Sequence, residues 1–308
     1  MNRTAVASLA LIGLLLAAPA SAQTSVHPSQ SDPSSAGGEL VIHVPIPDVA
    51  RPDGDVADLD VILPVNPKPW PTILFVHGWS AEPHYYTGLA EQLASRGFAV
   101  AMFDQVDRFE LDLDQWKAGG HSALDALERA TRDPASPLYG QLDLSKLGVL
   151  GHSYGGATTI ALAATDPRVK AAVALTPGVD RREGHKLMAY ADQVTLPLQV
   201  LGAEFDPIVP VWRFPRPAFA RVSSQQRLYV EVARGEHNNF TDLDFAFYAP
   251  TFVGWRRTIS PEEQRRISRG WSTSWLEHHL GQRAWPEWVD GRRAQASFVD
   301  GELSRWGR

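Results

Sequence analysis

Ser153 lies in Gly151-His152-Ser153-Tyr154-Gly155-Gly156, a G-x-S-x-G stretch whose flanks read as strand, sharp turn and helix. Leu147-Gly148-Val149-Leu150 before it is short and apolar, and Ala157-Thr158-Thr159-Ile160-Ala161-Leu162-Ala163-Ala164 after it suits a helix packed on a sheet. A serine on such a turn presents its Oγ outward at the sheet edge. The N–H of the next residue, Tyr154, then points at the same reacting centre. The flanking glycines leave room for strand and helix to approach. A serine hydroxyl is a weak nucleophile at neutral pH, so it needs a base in hydrogen-bond reach, and the base needs an acid to orient it.

Two later segments offer those partners. His237 lies in Gly235-Glu236-His237-Asn238-Asn239-Phe240, directly after the apolar run Leu228 to Val232, where a general base would emerge at the same edge as Ser153. Asp206 follows Leu196 to Leu201 in Glu204-Phe205-Asp206-Pro207-Ile208-Val209-Pro210 and is the expected orienting acid, with Glu204 and Asp180 as alternatives. The remaining histidines fit less well. His77 and His152 sit inside the motifs and are expected to pin local backbone; His121 is expected to open a helix, and His278 and His279 to lie on the surface of a late one. A histidine base must be neutral to take a proton, so activity should fall on the acid side.

An acyl-transfer site also needs a second oxyanion donor besides the Tyr154 N–H. His77-Gly78-Trp79-Ser80 follows the apolar run Thr72 to Val76, and the Trp79 N–H is the candidate. The side chains of Trp79, Tyr154 and Phe240 are expected to wall a substrate pocket. Phe240 opens an aromatic-rich stretch that continues through Phe245, Phe247, Tyr248, Phe252 and Trp255. There is no H-E-x-x-H, no cysteine and no tight His/Asp cluster, so no catalytic metal is expected. There is no Walker loop and no G-x-G-x-x-G, so no nucleotide cofactor is expected either.

The elements that must position these residues are legible as apolar runs. Leu40 to Val44 and Leu59 to Leu63 suit an antiparallel opening pair; Thr72 to Val76, Phe98 to Phe103, Leu147 to Leu150, Ala171 to Leu175, Leu196 to Leu201 and Leu228 to Val232 suit parallel strands covered on both faces. Helical periodicity marks Tyr86 to Arg96, closed by Gly97, then His121 to Arg132, and Glu262 to Leu280, closed by Gly281. Strands alternating with helices imply an α/β fold with a mostly parallel, doubly wound sheet.

Arg3, the apolar run Ala5 to Ala18 and Ala20-Ser21-Ala22 together read as a secretory signal peptide cut after Ala22, too short for a convincing membrane span. Residues 23–38 are rich in Ser, Pro, Gly and Gln and are expected to be a disordered leader, with one domain over 39–308. A secreted or periplasmic chain without cysteine has no disulfides and relies on its core. The formal net charge of -6, with acids and bases well mixed, argues against nucleic acid or an anionic membrane as partner. No signal specifies an oligomeric state.

With these residues assembled, the chain resembles secreted bacterial α/β-hydrolases of the dienelactone-hydrolase-like group, which includes cutinase-like polyester hydrolases and platelet-activating-factor acetylhydrolase-like enzymes. The likeness runs from about Leu59 to Gly281. Gly78-Trp79-Ser80-Ala81 with Leu93-Ala94-Ser95-Arg96-Gly97-Phe98, and Asp206-Pro207-Ile208-Val209-Pro210, resemble the polyester hydrolases. Gly151 to Thr158 and His237-Asn238-Asn239-Phe240-Thr241-Asp242 look more like the acetylhydrolases. The resemblance implies the α/β-hydrolase fold and a metal-independent serine esterase. There are departures: polyester hydrolases usually carry Met where this chain has Tyr154, and Trp where Leu175-Thr176-Pro177 is followed by Gly178. The acid position of the animal acetylhydrolases is Thr176 here, which favours Asp206. The alternatives to an esterase are a serine peptidase or amidase on the same fold, and a non-catalytic binding protein on a hydrolase scaffold.

Overall fold

The computed structural model describes residues 32–243, 252–253, 256–281, 283–290 and 305–307. Eight strands carry the sheet: β1 (Val41–Ala50), β2 (Val56–Pro64), β3 (Trp70–Val76), β4 (Ala99–Phe103), β5 (Leu142–His152), β6 (Val169–Leu175), β7 (Leu198–Ala203) and β8 (Arg227–Val232). Their order is β1-β2-β4-β3-β5-β6-β7-β8, and the three-residue strand Arg305–Gly307 adds antiparallel to β8. β1 and β2 form the expected antiparallel pair, β2 joins β4 antiparallel, and β3 to β8 run parallel. This is the α/β-hydrolase arrangement. β5 starts at Leu142, earlier than its apolar run, because a polar stretch pairs with Trp70 and Pro71 before the register shifts to Thr72↔Leu147.

The helices are α1 (Thr87–Ser95), α2 (Leu113–Arg132), α3 (Tyr154–Thr165), α4 (Gly184–Gln193), α5 (Pro215–Arg221) and α6 (Pro261–His279). α2 begins at Leu113, capped by Asp112, whose carboxylate accepts from the Asp114 N–H, and not at His121. Its Gly119-Gly120 pair reads as a breaker but serves close packing: a Cβ at Gly120 would meet Leu162 Cδ1 at 2.6 Å, and one at Gly119 would meet the Gln105 carbonyl oxygen at 2.6 Å. α4 and α5 are not among the helices read from the sequence, and the Pro-Arg-Pro start of α5 reads as loop. Ser260 caps α6 by accepting from the Glu263 N–H, and positive-φ glycines follow α1 and α6 at Gly97 and Gly281.

Alternation along the strands sends side chains into two apolar layers. Leu74 and Val76 of β3 join α2, α3 and α4 on one face; Ile73 and Phe75 join α1 and α6 on the other, where Trp271 and Trp275 are buried. Continuous apolar runs are therefore what a sheet covered on both sides requires. Residues 32–38, whose composition suggested leader, lie against α1: Gln92 Nε2 donates to the Pro33 carbonyl (3.0 Å) and the Gly37 N–H donates to Ser95 Oγ (2.8 Å). Backbone carbonyls there find side-chain donors, which composition does not reveal. Among the described residues no helix is long and apolar enough to cross a membrane.

Candidate active site

Ser153 sits between the end of β5 and the first turn of α3, with φ 57° and ψ -118°. Positive φ is costly for a residue with a Cβ. It is held there by its own backbone: the Ser153 N–H donates to the Leu175 carbonyl (2.9 Å), and its carbonyl accepts from the Ala157 N–H (3.0 Å) and Gly178 N–H (3.1 Å). The turn works only with glycine at 155, because a Cβ there would lie 2.1 Å from the Val76 carbonyl oxygen.

His237 follows β8 and Asp206 follows β7, so the parallel register brings both to the edge that carries Ser153. His237 Nδ1–H donates to Asp206 Oδ2 at 2.7 Å, and the Ser153 hydroxyl donates to His237 Nε2 at 3.0 Å. Asp206 is buried and fully engaged. Its Oδ2 also accepts from Thr176 Oγ1 (2.7 Å), and its Oδ1 accepts from the N–H groups of Ile208 (2.9 Å) and Val209 (2.7 Å). Burial alone would push the carboxyl up. The His237 charge and hydrogen bond, the Val209 N–H and the Thr176 hydroxyl outweigh it and hold Asp206 below the usual carboxylate range. The acid is thus ionised, and the imidazole tautomer that leaves Nε2 free for Ser153 is set.

The two alternative acids are elsewhere. Glu204 Oε2 accepts from the Arg234 N–H (2.9 Å), bracing its own loop. Asp180 caps the turn Arg181–Glu183 by accepting from the Arg182 N–H (2.9 Å) and lines the cleft. Thr176, just past β6 at the acid position of the animal acetylhydrolases, is a site residue by its hydroxyl, a role that the sequence alone does not assign. Its own φ is 38°, and its N–H donates to the Leu201 carbonyl (2.6 Å).

A cleft of about 480 Å³ opens over Ser153, walled by Trp79, Leu111, Tyr154, Asp180, Ile208 and Val209. Trp79 is 42% exposed and stacks edge-on with Phe109 (5.7 Å between centroids). Neither the Trp79 N–H nor the Tyr154 N–H has an acceptor among the described residues, and both residues flank Ser153 at the cleft. The Tyr154 ring packs on Trp116 (5.1 Å), and its hydroxyl donates to the Leu111 carbonyl, so its side chain supports the wall. Phe240 is not a wall residue: the turn Asn238–Phe240 rotates its ring inward against His152 (5.6 Å), where it is 4% exposed. Phe245, Phe247, Tyr248 and Trp255, and the side chain of Phe252, lie outside the described residues. At Gly178, where the chain departs from the Trp usual in polyester hydrolases, a Cβ would meet Val209 Cγ2 at 2.5 Å; Val209 occupies that space.

The other histidines have separate partners. His77 Nδ1–H donates to the Gly78 carbonyl (2.9 Å), and its Nε2 lies 3.2 Å from Asp104 Oδ1. His152 Nε2–H donates to the His237 carbonyl (3.1 Å). Both therefore pin backbone, as expected. His121 lies mid-helix in α2 and bonds Asp166 (2.9 Å). His278 and His279 are half-buried, not surface residues; the His279 ring packs on Trp275 (4.2 Å) because the α6 stripe extends to its last turn.

A model of the PET hydrolase-like family matches residues 64–267, a span that holds Ser153, Asp206 and His237. A cutinase of Thermobifida alba is 30% identical over 191 residues, which is 61% of this chain and 60% of the relative. A bis(hydroxyethyl) terephthalate hydrolase of Streptomyces coelicolor is 30% identical over 196 residues, 63% of this chain and 58% of the relative. A cutinase of Thermobifida fusca is 33% identical over 150 residues, 48% and 46% of the two chains. The chain thus spans less than two thirds of the length of these relatives.

Proposed function

The chain belongs to the PET hydrolase-like family, and on that premise we propose that it is a serine esterase that cleaves carboxylic esters through an acyl-enzyme. The observation that carries the reading is the hydrogen-bond chain Ser153 Oγ to His237 Nε2 (3.0 Å) and His237 Nδ1 to Asp206 Oδ2 (2.7 Å). Ser153 Oγ attacks the ester carbonyl while His237 Nε2 takes its proton. The ionised Asp206 stabilises the imidazolium that forms. The N–H groups of Trp79 and Tyr154 receive the oxyanion, each worth on the order of 10²–10³ in turnover. Collapse expels the alcohol, which takes the proton from His237 Nε2. Water, activated by the same imidazole, then releases the acid and restores Ser153.

The substrates proposed are neutral carboxylic esters, including terephthalate diesters of the kind named for one relative. An exposed Trp79 and an exposed Ile208 at the cleft mouth suit an apolar acyl or aryl group. The N-terminal segment, as a signal peptide, would place the enzyme outside the cytoplasm. The test is hydrolysis of p-nitrophenyl esters and of bis(hydroxyethyl) terephthalate by the wild type and by Ser153→Ala. The variant should lose as much as ~10⁶-fold in kcat. Retention of a few per cent of wild-type turnover overturns the assignment. Matched ester and amide substrates separate the esterase from an amidase.

A further inference from the structure

A second buried polar chain touches all three segments of the site without contributing a reacting group. The Gly78 N–H donates to Tyr86 Oη (3.2 Å), Tyr86 Oη bonds His152 Nδ1 (2.9 Å), and His152 Nε2 bonds the His237 carbonyl (3.1 Å). The direction of every bond is dictated by chemistry. A carbonyl can only accept, so His152 Nε2 carries the proton. A neutral His152 then has a bare Nδ1, so the Tyr86 O–H must donate to it, and the tyrosine oxygen accepts from Gly78. Burial, then the charge of His237, holds His152 well below its ordinary value, and burial holds the Tyr86 phenol above its own, so acceptor and donor keep these roles across the working pH range.

We propose that Tyr86, acting through His152, is a positioning residue that sets the oxyanion loop Gly78–Trp79 against Ser153 and His237. Gly78 shows how tight that seat is: a Cβ there would lie 3.2 Å from Tyr86 Oη, 3.3 Å from His152 Nδ1 and 3.3 Å from Ser153 Cβ. The backbone that precedes the Trp79 N–H therefore rests on the relay and on the serine itself. Tyr86 is fixed from behind by Phe75 (4.7 Å between centroids) and by the turn Pro83–Tyr86 that leads into α1. Removing the Tyr86 hydroxyl leaves the Gly78 N–H and His152 Nδ1 without their partner in a buried place. The loop then loses the tie that holds its donor where negative charge develops, which affects the transition state and not the bound ester.

The inference rests on Ser153 as nucleophile and Trp79 N–H as oxyanion donor, and Ser153→Ala tests that reading separately. Tyr86→Phe should lower kcat by about tenfold to thirtyfold with KM within about twofold, a smaller loss than deletion of an oxyanion donor. It should weaken binding of an aryl trifluoromethyl ketone, whose hemiketal oxyanion occupies the same hole, by the same factor. Leu93→Ala, a cavity in the same apolar layer one to two turns further along α1 and outside the relay, should leave kcat of the folded protein within about twofold. Unchanged kcat in Tyr86→Phe, a rise in KM at constant kcat, or an equal kcat loss in Leu93→Ala overturns the proposal. Should Tyr86→Phe fail to fold, ¹⁵N-histidine NMR of the wild type decides. One imidazole, assigned to His152, should remain the neutral Nε2–H tautomer from about pH 5 to 9 and shift when the ketone binds; a protonated or Nδ1–H form overturns it.

Discussion

Thr176 Oγ1 donates to the same carboxylate oxygen of Asp206 that accepts from His237 Nδ1, at 2.7 Å in both cases. The acid is therefore aimed by a residue from the neighbouring strand end, with the N–H groups of Ile208 and Val209 holding its other oxygen. Thr176→Val keeps the shape and the branched Cβ but removes this donor. A hydrogen bond to a charged group is worth about 1.5–3 kcal/mol, part of it realised only as the imidazolium forms. Steady-state kinetics on a p-nitrophenyl ester should show kcat down by about tenfold with KM little changed.

Asp180 lines the cleft, whereas Asp206 touches His237. Asp206→Asn should cost about 10⁴ in kcat, because an amide can force the wrong imidazole tautomer. Asp180→Asn should leave kcat within about threefold. The two variants compared on one ester give the answer, and a larger loss at Asp180 would reverse the assignment of the acid.

His279 is pushed down to about 4 by burial and by the charge of His278, and His152 is lowered in the same direction by burial and by the charge of His237. In the unfolded chain both regain an ordinary value of ~6.5. Between pH ~6.5 and ~4 the unfolded state then binds protons that the folded state refuses. The contribution of these two histidines to stability must fall as pH drops through that window. Urea denaturation across it should show unfolding free energy rising with pH. His279→Leu should reduce that slope by up to ~1.4 kcal/mol per pH unit, the value of one proton. An unchanged slope would mean that His279 titrates normally.

Arg96 and Glu277 form a buried bidentate pair between the end of α1 and α6, at 2.8 Å and 3.1 Å, and Glu277 also accepts from Trp285 Nε1 at 2.5 Å. Arg96→Ala strands a buried carboxylate and should cost about 3–5 kcal/mol of stability. The double variant Arg96→Leu/Glu277→Leu should cost less than Arg96→Ala alone, since no lone charge remains. Chemical denaturation measures both, and kcat of the folded fraction should not change, because the pair lies outside the cleft.

What the sequence determined by itself follows from locality. Apolar runs of strand length, the glycines around Ser153 and the positions of Asp206 and His237 just past their strands are properties of a few adjacent residues. These were enough to expect the sheet, the strained turn and a Ser, Asp, His order. The gaps also have local causes. Gly119-Gly120 imitates a helix stop although it serves close packing on Gln105 and Leu162, and α5 opens on Pro-Arg-Pro. Tertiary structure decided whatever depends on distance between remote segments. It set Asp206 against His237, while Glu204 in the same loop turns to the Arg234 N–H and Asp180 after β6 turns to the Arg182 N–H. It turned Phe240 inward onto His152, filled the space beside Gly178 with Val209, and buried His279 against Trp275. The relay from Gly78 through Tyr86 and His152 to His237 joins residues from three parts of the chain, and only the packing of the turn before α1 against the ends of β3, β5 and β8 brings them within hydrogen-bond reach.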